Sequence, residues 1–107
     1  MDVNATLAER QKTHGDFEEN AELSQALKYV MRNLGNWDEL RPDQQEALEV
    51  IQHKIARILT GDPNLIDSYR DICGYSQLVV NRLERSDGAR DMQTRLIVRH
   101  NGEWEAA

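Results

Sequence analysis

Cysteine, proline and long apolar runs are all scarce in this chain. Its 107 residues include one cysteine and two prolines, so no internal disulfide can stabilise it and few positions interrupt a helix. No run of about eighteen apolar residues is present to span a bilayer, and residues 1–5 lack the basic and apolar pattern of a signal peptide. We therefore expect a cytoplasmic protein without a membrane segment, in which Cys73 behaves as a small buried hydrophobe.

Positive charge is also in short supply. Thirteen Lys and Arg face nineteen Asp and Glu, which gives a net charge of −6. A field of this sign repels nucleic-acid backbones and anionic lipid surfaces, so we expect neither a nucleic acid nor a membrane as partner. With 39% hydrophobic and 30% charged residues, the composition is that of a folded globular protein whose length suits one modest core.

Hydrophobic spacing predicts an all-α antiparallel bundle. A short leading helix is expected over residues 4–12, and three main helices over 16–34, 43–60 and 63–85. The start and stop signals include Asp16 as an N-cap, a proline in the first turn of the second and third main helices, and Gly61 after the second. Residues 1–86 would form the helical domain. Residues 87–107 would be a tail, either a small hairpin around an Asn-Gly turn or a mobile segment.

Each main helix is predicted to turn a polar residue toward the core. With about 3.6 residues per turn, Asn20 falls on the apolar stripe of the first helix and Lys54 on that of the second. Asp71 lies one turn after Asp67 near the start of the third helix. Because short connections favour antiparallel neighbours, these positions, together with Arg57, should converge at one end of the bundle.

Two interpretations of this polar cluster stay open. In one, Lys54 and Asp71 form a structural ion pair while Asn20 satisfies leftover backbone groups. In the other, Asp67 and Asp71 supply oxygen ligands for Mg²⁺, while Lys54 and Arg57 receive phosphate oxygens. The second arrangement would handle a nucleotide.

Further polar residues are expected near the same end. Glu19 and Glu22 could add metal ligands, although Glu19 also suits a capping box with Asp16. The ring of His14 would lie at the mouth of the site, where it could stack on a base or simply pack in a turn. The three histidines share no metal-ligand spacing with one another or with the cysteine, which argues against zinc.

These residues form a pattern that resembles a known family. Its blocks are Arg10 with His14-Gly15-Asp16 and Asn20, then Lys54-Ile55-Ala56-Arg57, and finally Asp67 with Asp71-Ile72-Cys73-Gly74-Tyr75. Over about residues 10–84 the chain is similar to small phage and bacterial proteins, largely of unassigned function, related to the MazG-like all-α nucleoside triphosphate pyrophosphohydrolases. The resemblance implies an oligomeric bundle that binds Mg²⁺ and splits a nucleoside triphosphate into monophosphate and pyrophosphate.

The convergent polar residues and the resemblance together suggest roles for individual residues. Lys54 and Asp71 are expected to be catalytic. The expected metal ligands are Asp67, Asp71, Glu19 and Glu22, and the expected substrate-binding residues are His14, Asn20, Lys54, Arg57 and Tyr75. The chain departs from the family in its acidic residues, because Ser68 stands where a glutamate is expected and Asp67 and Asp71 are four residues apart. The expectation is therefore a pyrophosphohydrolase or a nucleotide-binding descendant of one.

The alternative is a protein of a different class. A catalytically inert interaction protein, such as one encoded by a phage, would bind its partner through the bundle and tail, and exposed Trp37 and Trp104 would suit that role. In either case, three main helices leave an apolar flank that dimerisation would cover. We expect a homodimer at least.

Overall fold

The computed structural model describes the backbone of residues 2–94 and the side chains of residues 2–85. The helices are α1 (Val3–His14), α2 (Phe17–Asn33), α3 (Pro42–Thr60) and α4 (Ile66–Thr94), with a single 3-10 turn at Trp37–Glu39 between α2 and α3. No strand occurs within residues 2–94, so the described chain is all-α, as predicted. The predicted tail hairpin and Trp104 lie outside the described residues.

Two units divide the chain, with their boundary inside α4. The first comprises residues 1–75 and the second residues 76–107. All of α1, α2 and α3 belong to the first unit, together with the beginning of α4. The described part of the second unit is the remainder of α4, on which Leu78 and Leu83 are exposed. Over residues 2–94, none of the helices has the length and apolarity that crossing a bilayer requires.

Helix starts follow the local capping signals. The Asp16 side chain accepts a hydrogen bond from the backbone N–H of Glu19 at 3.1 Å, which confirms the predicted N-cap of α2. Pro42 occupies the first position of α3, where its missing N–H costs no intrahelical bond. The α3 helix ends at Gly61, whose N–H donates to the Arg57 carbonyl at 2.8 Å. These caps place both ends of α2 and α3 within a residue or so of the prediction.

The predicted limits of α4 were wrong at both ends. The helix begins at Ile66 rather than at Pro63, because the Asp62 side chain accepts the N–H of Asn64 at 2.9 Å and its carbonyl accepts the N–H of Leu65 at 3.3 Å. Asp62 therefore caps a turn that precedes the helix. At the other end, α4 continues past residue 85 to Thr94, since losing the apolar spacing removes a packing face without removing the backbone hydrogen bonds.

The α2 and α3 helices pack against each other in antiparallel directions. Ser24 and Gln52 are both buried and hydrogen-bond to each other at 3.2 to 3.3 Å in the middle of the pair. Near one end, Arg32 of α2 lies 2.7 Å from Glu49 of α3. At the other end the beginning of α2 meets the end of α3, and α1 contacts α3 there as well. The predicted antiparallel arrangement is thus present.

The core of a single chain is small. Among the described side chains, the buried hydrophobic residues are only Ala47 and Ala56. Leu48, Ile55 and Leu59 recur at helical spacing along α3, which predicts a core-facing stripe, but they are exposed. Many other predicted core positions are half-buried or exposed, and Cys73 is exposed rather than buried. The periodicity identified apolar helix faces, but the described residues leave much of these faces uncovered.

Candidate functional site

Two turns cross at one end of the first unit and position the candidate site. Gly15 links α1 to α2 at a φ of +78°, a value that favours glycine. A Cβ on Gly15 would overlap the carbonyl group of Thr60, and a Cβ on Gly61 would overlap the carbonyl oxygen of Thr13. The N–H of Asp62 also donates to the Thr13 carbonyl at 2.8 Å. This crossing holds the end of α1 and the start of α2 against the end of α3.

A cavity of about 780 Å³ lies beside this crossing. It lies between α1, the first turn of α2 and the last turns of α3, and its cationic and aromatic lining residues are Arg10, His14, Phe17, His53 and Arg57. Leu7 and Asn20 also line it. We call this space the arginine–histidine cavity. It combines positive groups with an apolar wall, although the protein as a whole carries a net charge of −6. The Asp16 carboxylate, which caps α2, also lines it.

The two histidines of the cavity both have lowered pKa values. Burial lowers the pKa of His14 below its ordinary value, and the nearby charges of Arg57, Arg10 and Lys54 lower it further. Burial likewise lowers the pKa of His53, with Arg57, Lys54, Lys28 and His14 adding to the effect. Both rings are therefore neutral over a wider pH range than free histidine.

Asn20 points inward, as its place on the apolar stripe predicted. It is buried, and its side-chain Nδ2 donates to the Thr60 Oγ1 at 3.2 Å. Thr60 Oγ1 in turn donates to the Ala56 carbonyl at 2.8 Å. This chain of hydrogen bonds ties the start of α2 to the end of α3, and it orients an amide at the wall of the arginine–histidine cavity.

Lys54 and Asp71 form the ion pair expected from their sequence positions. Lys54 Nζ lies 3.0 Å from Asp71 Oδ2, with the lysine side chain 15% exposed and the aspartate 46% exposed. The pair joins α3 to the beginning of α4 within the first unit. This contact matches the structural interpretation of the cluster, in which each charge neutralises the other. Lys54 does not line the cavity, but its charge contributes to the potential at both histidines.

The expected metal ligands are not brought together within the described part of one chain. Asp67 is exposed, with an oxygen 3.8 Å from Arg70 Nη1, and Asp71 pairs with Lys54. Glu19 and Glu22 are exposed on α2. Across the described residues, no group of three or more His, Cys, Asp or Glu side chains is arranged to hold a metal ion. The described residues of a single chain therefore present no ligand set for a resident Mg²⁺, and the metal site stays a prediction.

Of the expected substrate-binding residues, His14, Asn20 and Arg57 line the same cavity. Lys54 and Tyr75 do not line it. Sequence reasoning left out Phe17 and His53, and it quoted Arg10 only as part of the family pattern. Arg10 and His14 are four residues apart on α1, and His53 and Arg57 are four apart on α3. This spacing was a signal that could have placed each pair on one helix face.

Comparisons with known proteins add no family assignment. No protein-family model, curated protein or solved structure matches this chain. The MazG-like relationship thus remains a prediction that rests on the sequence pattern.

Proposed function

We propose that this protein binds a nucleotide through its phosphate groups in the arginine–histidine cavity. The observation that carries the proposal is the convergence of Arg10, His14, His53 and Arg57 on one cavity of about 780 Å³ in an acidic protein. Two arginines and two histidines bring four groups able to donate hydrogen bonds to an anion. A site of this sign in a chain of net charge −6 favours a compact anionic ligand over a long polyanion.

The chemistry of the lining suits the two halves of a nucleotide. An arginine guanidinium presents a planar fork of N–H donors that matches phosphate oxygens in a bidentate geometry. Leu7 and Phe17 supply an apolar wall and an aromatic face at the same cavity, on which a base can stack. The volume of about 780 Å³ falls in the range of cavities that hold small organic ligands.

Hydrolysis is a more specific form of the proposal. The family resemblance implies Mg²⁺-dependent cleavage, but Asp71 is engaged with Lys54 and the described residues of one chain do not form a ligand set. We therefore derive no catalytic step through a metal ion. Nucleotide binding without hydrolysis, the descendant form of the activity, is the function that the geometry supports best.

Titration calorimetry with nucleoside triphosphates, with and without Mg²⁺, tests the proposal. Arg10→Gln and Arg57→Gln should each weaken binding by about tenfold or more, because a hydrogen bond to a charged group contributes about 1.5–3 kcal/mol. Lys12→Gln is the matched control: it removes the same charge from α1, but Lys12 is exposed, pairs with Glu9 and does not line the cavity. Its affinity should stay within about twofold of wild type, because exposed charges contribute little.

Two outcomes would refute nucleotide binding. One is no heat of binding with any triphosphate; the other is an equal loss in Lys12→Gln and the two cavity variants. The absence of any heat of binding would favour the alternative function, a catalytically inert interaction protein. Pyrophosphate release can be measured in the same samples. Release by the wild type that is lost in Asp71→Asn would show that the protein still hydrolyses nucleotides.

We also propose that the protein is a homo-oligomer, at least a dimer. The supporting observation is the exposed apolar face of α3 formed by Leu48, Ile55 and Leu59. An adjoining groove of about 290 Å³ is lined by Trp37, which is half-buried rather than exposed, and by other apolar side chains. A small chain that covers so little of its apolar surface commonly completes its core with a second copy.

A further inference from the structure

Asn20 is the buried polar residue of the arginine–histidine cavity. It is 8% exposed, and among the described residues that line the cavity no other polar side chain is buried. It lies in the first turn of α2, three residues after Phe17, so the two side chains project from the same face of the helix. Phe17 and Asn20 are therefore neighbours at the wall of the cavity.

The hydrogen bonds of Thr60 determine which way the Asn20 amide faces. Thr60 Oγ1 donates its one proton to the Ala56 carbonyl at 2.8 Å, so toward Asn20 it can only accept. The Asn20 atom 3.2 Å from Thr60 Oγ1 must therefore be the amide nitrogen. The amide carbonyl oxygen is left on the other side, and within the described part of the chain it accepts no hydrogen bond.

A ligand that covers this acceptor and excludes solvent from it must supply a donor, because a buried acceptor left without one is costly. Leaving such a group unsatisfied costs about 1–3 kcal/mol. The positively charged lining groups Arg10 and Arg57 are donors that suit phosphate oxygens, whereas the Asn20 carbonyl suits an N–H group. The cavity thus offers opposite hydrogen-bonding preferences to the two ends of a ligand.

Building on the proposed nucleotide binding, we propose that Asn20 selects nucleotides whose base carries an exocyclic amino group. The base stacks on Phe17, and its amino group donates to the Asn20 carbonyl. A base with a carbonyl at the same position would place two acceptors opposite each other and bind more weakly. Cytosine and adenine are accepted over uracil and hypoxanthine, and Thr60 acts as the positioning residue that holds the amide in this orientation.

Two matched ligand pairs test the selection. Cytidine and uridine triphosphates differ by amino against oxo at one ring position, as do adenosine and inosine triphosphates. By calorimetry, the amino member of each pair should bind about tenfold more tightly, as expected for one hydrogen bond that leaves no buried group unpaired. Asn20→Leu, which keeps the volume and removes the amide, should bring the two members of each pair to within about twofold, because the discriminating acceptor is gone.

Thr60→Val provides a second variant that keeps Asn20 in place. Without the hydroxyl, the Asn20 amide can turn over and present either its carbonyl or its amino group. The ratio of affinities between the amino and oxo members should therefore decrease for both ligand pairs. Thr13→Val is the matched control: its hydroxyl also donates to a carbonyl on its own helix, that of Arg10 at 3.2 Å, but it does not contact Asn20. It should retain the wild-type preference.

Three results would overturn the inference. Equal affinity for the amino and oxo members in the wild type would remove base selection and leave nucleotide binding intact. A larger loss for 2′-deoxynucleotides than for oxo bases, abolished in Asn20→Leu, would assign the carbonyl to a sugar hydroxyl instead. Binding of no nucleotide at all would refute the proposed function, and the selection with it.

Discussion

Gly15 and Thr60 touch through their backbones where the turn after α1 crosses the end of α3. Gly15 has a φ of +78°, and a Cβ at this position would overlap the Thr60 carbonyl group. The contact brings His14, at the end of α1, and Asn20, in the first turn of α2, to the wall of the arginine–histidine cavity. The geometry of the candidate site therefore depends on a residue that has no side chain.

Gly15→Ala should destabilise the fold strongly. The substitution combines an unfavourable backbone conformation, about 1–3 kcal/mol, with a backbone clash, so we expect a total loss of about 3 kcal/mol or more in the free energy of unfolding. Gly35→Ala is the matched control, because Gly35 has a φ of +65° but no atom within 4 Å of the added Cβ. It should cost about 1–2 kcal/mol. Urea unfolding measures both variants. Equal decreases in the free energy of unfolding would contradict a close backbone contact between Gly15 and Thr60.

Asp71→Asn should destabilise the protein more than Asp67→Asn. Lys54 is only 15% exposed, so removing its partner leaves a largely buried charge uncompensated, at a cost of about 1–2 kcal/mol. The Asp67 and Arg70 side chains are 74% and 69% exposed and lie 3.8 Å apart, and losing such a contact should cost less than about 0.5 kcal/mol. Chemical denaturation compares them directly.

The same two variants distinguish a structural ion pair from a Mg²⁺ site at Asp67 and Asp71. If both aspartates held Mg²⁺, each asparagine variant would lose the stabilisation that added Mg²⁺ gives the wild type. The ion-pair interpretation predicts that Mg²⁺ leaves the melting temperature of wild type and both variants unchanged in the absence of nucleotide. A Mg²⁺-dependent increase that Asp67→Asn abolishes would contradict it.

Because of His14 and His53, the free energy of unfolding should decrease at mildly acidic pH. The pKa values of His14 and His53 are lowered in the folded state, so below about pH 6.5 the unfolded state binds more protons. Their contribution is constant above about pH 7.5, and the free energy of unfolding decreases as the pH falls through about 6.5 toward the folded-state values. Urea unfolding at about pH 7.5 and 5.5 measures the decrease.

The double variant His14→Gln with His53→Gln should reduce this pH dependence, because glutamine does not titrate. If the free energy of unfolding changes equally with pH in the wild type and the double variant, these two rings do not cause the pH dependence. NMR titration of the imidazole protons provides the direct reading, and both midpoints should lie below those of histidine in a model peptide.

Self-association is predicted to depend on the exposed face of α3. Sedimentation should give a mass of at least twice the 12.4 kDa chain, and Leu48→Glu or Ile55→Glu should shift the protein toward monomer, since a charge in an apolar interface is costly. Gln25→Glu is the control, because Gln25 is exposed and polar on α2. A wild type that stays monomeric at all accessible concentrations would contradict the dimer.

The chain of amino acids was sufficient to predict the helices and which of their ends meet, but not the limits of α4. Asp16 marks the start of α2 through its side-chain cap, Pro42 marks the start of α3 through its fixed φ, and Gly61 follows the end of α3. Short connections require antiparallel neighbours. The approach of Lys54 to Asp71 follows from the same two facts. Such features depend on local chemistry and on connection length, and both can be read along a sequence.

Tertiary structure alone decided how much of each apolar face is covered and which polar groups share a cavity. Helical periodicity shows which side of a helix is apolar, but whether Leu48 or Ile55 is buried depends on elements brought from elsewhere in the chain. The same is true of Arg10 and His53, which meet only because the Gly15 turn crosses the end of α3. A contact between distant segments depends on close packing in three dimensions, and spacing along one helix does not encode it.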